Sequence, residues 1–75
     1  MMSILDLRPG EMGFIEHIHG DEKLSRRLLA LGCIEGTGVT FKTSAPLGDP
    51  IIISIRGFDL AIRKKDAKNI TLKED

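Results

Sequence analysis

Eight glycines stand at almost every boundary of this 75-residue chain, and prolines stiffen two of the turns they mark. Punctuation that dense leaves short runs, suited to strands joined by tight turns and to little helix. Arg8-Pro9-Gly10-Glu11 has Pro at i+1 and Gly at i+2, the type II choice. A strand is predicted from Met12 to His19. Its apolar positions do not alternate cleanly, because Ile15 and Ile18 lie three apart. A bulge near Glu16-His17 would turn both inward, as small barrels require.

One helix is predicted, over 22–31. Asp21 is suited to cap its start, since a carboxylate there accepts from an orphan amide one turn in. Gly32 sits where a left-handed C-terminal cap belongs. Leu24, Leu28 and Leu31 follow the i, i+4, i+7 spacing of one buried stripe. Leu29 falls about 100° around the wheel from Leu28, off that stripe. Arg26 points outward, and Arg27 flanks the stripe, where its stem covers the core and its guanidinium reaches water.

The remainder reads as strands. Thr37 to Thr43 alternates with Val39 and Phe41 inward. Ile51, Ile53 and Ile55 share one face, and Ile52, Ser54 and Arg56 the other. Arg56-Gly57 marks a hairpin, after which Phe58, Leu60 and Ile62 alternate against Asp59, Ala61 and Arg63. A helical turn near 64–68 leads to a last strand at Ile70-Thr71-Leu72. A mainly β fold follows, a single small barrel of about five strands with one inserted helix, spanning 1–75. The barrel is expected to be closed or nearly closed, which would hide sheet edges that so small a core cannot shield otherwise.

Charge and cysteine count narrow the function classes. Eleven Lys+Arg balance eleven Asp+Glu, and aromatics amount to 4%, all of them Phe. Phosphate neutralisation and base stacking carry most nucleic-acid affinity, so both figures count against a nucleic-acid module and favour a protein partner. With one cysteine, no intrachain disulfide or four-thiolate zinc site can form. A lone thiol suits a reducing cytoplasm. No signal-peptide pattern opens the chain, and no apolar run has the length of a membrane span.

Taken in order, LDLRPGEMGFI at Leu5 to Ile15, LSRRLLALG at Leu24 to Gly32, EGTGVTF at Glu35 to Phe41, SAPLGDPIII at Ser44 to Ile53 and RGFDLAIRKKDAKNI at Arg56 to Ile70 resemble the FeoA family. The resemblance covers nearly the whole chain. It implies an SH3-like barrel with a helix inserted after the first strand. It also implies a cytoplasmic, non-enzymatic accessory of ferrous-iron uptake, peripheral to the inner face of the membrane through its partner. That partner is FeoB, the GTP-binding ferrous-iron transporter, contacted at its cytoplasmic GTP-binding part or its membrane portion. The family usually carries an aliphatic or aromatic residue after Leu-Gly, where Cys33 stands here, which favours Cys33 as core filler.

Three sets of residues are candidates for function. His17 and His19, two apart on a strand, leave the same face and with Asp21 or Cys33 could hold zinc or iron(II); otherwise they are solvent-facing histidines near a strand end. No cofactor is otherwise expected. Lys23, Arg26 and Arg27, with Arg63, Lys64, Lys65 and Lys68, form two basic clusters, either solvated faces or docking points for an acidic surface or lipid headgroups. The third set is the loop SAPLGDP. Ala45-Pro46-Leu47-Gly48 fits a type I turn and leaves Leu47 at i+2, where exposure is the default. Either the loop folds back so that Leu47 covers Leu29, or Leu29, Pro46 and Leu47 form a preorganised apolar patch for a partner, extended by Ile52 and neighboured by Arg26. A catalytic nucleophile is not expected: Cys33 follows a helix C-terminus, whose negative end discourages a thiolate.

Overall fold

The structure, a computed structural model, describes residues 2–20 and 22–74. Asp21, expected to cap the helix and to neighbour the histidines, lies outside the described residues. Strand β1 (Met2–Ser3) runs into a 3₁₀ turn over Ile4–Asp6, followed by β2 (Met12–Ile18) and helix α1 (Glu22–Ala30). Then come β3 (Gly38–Ser44), β4 (Ile51–Ile55), β5 (Phe58–Ile62), the short helix α2 (Lys64–Ala67) and β6 (Ile70–Leu72). The strands form one antiparallel sheet in the order β1-β6-β2-β3-β4-β5.

The expected mainly β architecture with one inserted helix and a helical turn after β5 is present, with one strand more than anticipated. The added strand, β1, pairs Met2 with Leu72 and Ser3 with Thr71. Two residues carry no periodicity, so nothing in the sequence marks them as a strand. Ser3 does more than pair: its Oγ accepts from Leu5 N at 3.2 Å, and the Asp6 carboxylate accepts from Ser3 N at 2.8 Å. That reciprocal capping box holds the turn that drops Ile4 into the core.

Strand β2 carries the predicted bulge. Its register against β6 shifts between Ile15, opposite Leu72, and His17, opposite Thr71. The extra residue lets Ile15 be fully buried and Ile18 pack against the same core. In α1, Leu24 and Leu28 are buried and Leu31 partly so, whereas Leu29 is 58% exposed. The helix ends where Gly32 takes φ +83°, with Gly32 N donating to Leu29 O (2.9 Å) and Cys33 N to Leu28 O (2.9 Å). This paired arrangement is the Schellman cap, which needs a residue without Cβ at the left-handed position.

Val39, Ile51, Ile53 and Ile55 fill the core as parity required, and Phe41 is buried beside them. Arg56 (φ +48°) and Gly57 (φ +88°) close the β4–β5 hairpin as a two-residue turn. In β5 the inward alternation holds for Ile62 and, in part, for Leu60. Phe58 departs from it, remaining 39% exposed at the turn end of the strand, where no further strand covers it.

The core assignment has a direct consequence for stability. Leu28→Ala is expected to cost about 2–5 kcal/mol through lost burial and a residual cavity. A domain this small has about 3–5 kcal/mol in total, so the variant approaches outright unfolding. Leu29→Ala, mostly in solvent, should shift a urea melt by well under half as much.

Candidate functional site

The β3–β4 loop is fastened at three points. Gly48 N donates to Ala45 O (2.7 Å), closing the predicted turn, and Ala45 N donates to Pro50 O (2.9 Å). The Asp49 carboxylate accepts from Lys64 N (3.0 Å) at the start of α2. Pro46 fixes φ at i+1. The result is a stiff loop that raises Leu47 into water at 97% exposure. Leu47 therefore covers nothing, and the folded-back reading of the loop is overturned. Ile52, on the outward face between Thr43 of β3 and Ala61 of β5, is half-buried near the same end of the sheet.

Leu29 lies elsewhere. A Cβ on Gly32 would stand 2.9 Å from Arg56 Nε, so the end of α1 rests against the β4–β5 turn. The Leu47 loop leaves from the opposite end of β4, whose five residues span about 17 Å. The expected shared patch is thus corrected to two separate surfaces. Leu29 instead borders a cleft of about 260 Å³ floored by Ile15 and Cys33, with Ile34, Glu16, His17 and Glu35 around it. Ile34, 56% exposed, was not singled out from the sequence; the inward position of Cys33 beside it was the available signal.

A third apolar surface was also missed. Met12 and Phe14 are 56% and 50% exposed on the outer face of β2. Phe14 faces Gly38 across the β2–β3 pair, and a Cβ at Gly38 would lie 2.6 Å from Met12 Cε. Glycine at position 38 lets both side chains lie flat over β3. Parity from Ile15 puts Phe14 outward, but the bulge obscured the phase.

The charged candidates sit on α1 and α2. Arg26 pairs with Glu22 at 3.1 Å, an i, i+4 bridge in which both side chains are more than three-quarters exposed. Such a bridge contributes little to stability. Lys23 and Arg27 line a cleft of about 380 Å³ with Leu24 and Asp66, so α1 and α2 meet there. Lys64 of the second basic cluster instead turns toward the β3–β4 loop and lines a separate cleft with Leu5, Leu7, Phe41, Ser44 and Ile51.

His17 and His19 do come together, ring centroids 5.7 Å apart and edge to face. Thr71 organises them. Its hydroxyl donates to His17 O (3.3 Å) and lies within hydrogen-bond distance of His19 Nε2 (3.3 Å), the direction of that second bond following the imidazole tautomer. Cys33, however, is fully buried in the core. Among the described residues no group of three or more His, Cys, Asp or Glu side chains is placed to hold a metal. The trio His17, His19 and Cys33 does not fit a metal centre.

The fold defines a small antiparallel barrel of the SH3-like class with an inserted helix. The FeoA domain family matches residues 2–74, and the chain belongs to that family. It is similar to the FeoA protein of Chlorobium tepidum, solved by NMR, at 31% identity and a TM-score of 0.90, over 95% of this chain and 68% of that one. A zinc-complexed FeoA from Stenotrophomonas maltophilia, described as an SH3 domain protein, shares the fold at 23% identity with a TM-score of 0.83, over 97% of this chain and 91% of that one. The chain is also 28% identical over 72 residues to a fusion of Fe(2+) transport protein A with the Fe(2+) transporter FeoB from Porphyromonas gingivalis. That match covers 96% of this chain and 8% of the fusion protein's length.

Two measurements check the site chemistry. Calorimetric titration with zinc is expected to show no saturable micromolar site, and the His17→Ala, His19→Ala double variant should give the same isotherm. Burial pushes the Cys33 thiol above its ordinary value of 9.0, opposed in smaller measure by the Arg56 guanidinium. The folded chain therefore holds this proton more tightly than the unfolded chain. Stability present below the unfolded value is lost as pH rises through it toward the folded one. Melting temperature should fall above about pH 9, and the Cys33→Ala variant, less stable throughout, should show a flatter alkaline limb.

Proposed function

We propose that this chain is a non-enzymatic accessory of ferrous-iron uptake that docks on the cytoplasmic GTP-binding part of a FeoB-type transporter. The observation that carries the reading is the Porphyromonas gingivalis relative, in which a segment like this one and FeoB are one polypeptide. A covalent link supplies a high effective concentration between two modules. Where the modules are separate chains, a surface must supply the association instead. Docking then places the chain at the inner face of the membrane through its partner; no helix among the described residues is long and apolar enough to cross it. To act on transport or on GTP hydrolysis, the chain must bind one conformation of the transporter better than another.

The surface we assign to docking is the loop end of the barrel, with Leu47 as anchor, Pro46 and Ile52 beside it. A loop already fastened at both ends loses little conformational entropy on binding. Arg26 and Leu29, on α1, form a second and independent contact candidate.

The test is a paired measurement on Leu47→Ser. The thermal melt should move by no more than about 0.5 kcal/mol equivalent, since the side chain is in water. Affinity for purified FeoB-type transporter should fall at least about fivefold, as loss of a small buried anchor requires. Unchanged affinity would remove the loop as the docking surface. Absence of any binding by the parent chain, with or without iron(II), would remove the docking reading itself.

A further inference from the structure

Strand β5 stands at one end of the sheet order, and half of its backbone is unpaired. The two-residue turn makes Ile55 and Phe58 a hydrogen-bonded pair, so Phe58, Leu60 and Ile62 address β4. The N–H and C=O groups of Asp59 and Ala61 point the other way. Among the described residues those groups have no hydrogen-bond partner, and both residues are exposed. Arg63 continues the extended conformation (φ −71°, ψ 146°) before α2 begins, with its carbonyl already accepting from Asp66 N and Ala67 N. An open, proline-free edge of this kind is a template for another strand.

The charge pattern of that edge selects the strand. On its outward face β5 carries Asp59, Ala61 and Arg63, an acid and a base placed symmetrically about a small residue. Antiparallel pairing with an identical strand, centred on Ala61, sets Asp59 opposite Arg63 of the second copy and Arg63 opposite its Asp59. A two-fold axis makes each favourable pair occur twice. The same register places Leu60 opposite Ile62 on the core face. A register centred on Leu60 would set Asp59 against Ala61 and Arg63 against Gly57, with no charge pair. We propose that the β5 edge is a self-association surface at which a second copy of this chain pairs antiparallel about Ala61, extending the sheet across both molecules.

So short a strand pair buries much less than a standard interface, so association is weak and depends on concentration. Asp59 already meets Lys42 within its own chain at 3.1 Å, a bridge about half exposed on both sides. Its carboxylate has the capacity to accept from Arg63 of the second copy as well.

Sedimentation equilibrium of the 75-residue chain, taken from about 10 μM to about 1 mM to reach the weak range, measures the association. Ala61→Pro removes an N–H that makes no bond within the chain and is tolerated on an edge. It should weaken association at least about tenfold, with circular dichroism unchanged. Asp59→Arg alone should do the same, by opposing like charges. Asp59→Arg combined with Arg63→Asp rebuilds both cross-strand pairs with their signs exchanged and should restore association. That double variant keeps the test decisive if Ala61→Pro disturbs the fold. A chain monomeric at every concentration overturns the proposal. So does association that survives Asp59→Arg, or that the double exchange fails to recover.

Discussion

One strand, β2, belongs to both halves of the sheet, and its bulge makes that possible. Its first residues pair with β3 and its later ones with β6. A regular strand could not turn both Ile15 and Ile18 to the core, because side chains three apart leave opposite faces. The added residue between Ile15 and His17 resets the phase and bends the strand, so that β6 and β1 continue the sheet around the core. Much follows from it: the place of Leu72 against Ile15, the burial of Thr71, and the hydroxyl that orders His17 and His19. A slip of one residue here would exchange core and solvent faces along the whole strand.

Within that frame, function falls to the periphery. The barrel interior is filled by aliphatic side chains, Phe41 and Cys33. What the surface offers is apolar groups held at defined places: Leu47 on a fastened loop, Leu29 and Ile34 beside a cleft, Met12 and Phe14 over Gly38. Each is anchored by backbone bonding or by close packing rather than by a flexible tether. A small domain that presents preorganised apolar points on a neutral surface is suited to recognise another protein. Its separate surfaces allow more than one contact at a time.

The sequence alone determined the helix from its leucine spacing and its glycine stop, and the three inward isoleucines of β4 from parity. It also marked the bulge in β2 and the turn under Leu47. These are local properties, set by periods of 3.6 and 2 residues and by the restricted φ of proline and glycine. Membership in the FeoA family was legible too, since matching runs cover the chain in order. The tertiary structure decided the rest, because it depends on which distant segments meet. Pairing of Met2-Ser3 with β6 joins the two ends of the chain, and no local pattern announces it. Whether Leu29 and Leu47 share a surface depends on which end of β4 each approaches. Histidine spacing suggested a metal site, but packing took Cys33 into the core and left the pair without it. The open edge of β5 exists only because the sheet ends there, a fact of strand order that neighbouring residues cannot encode.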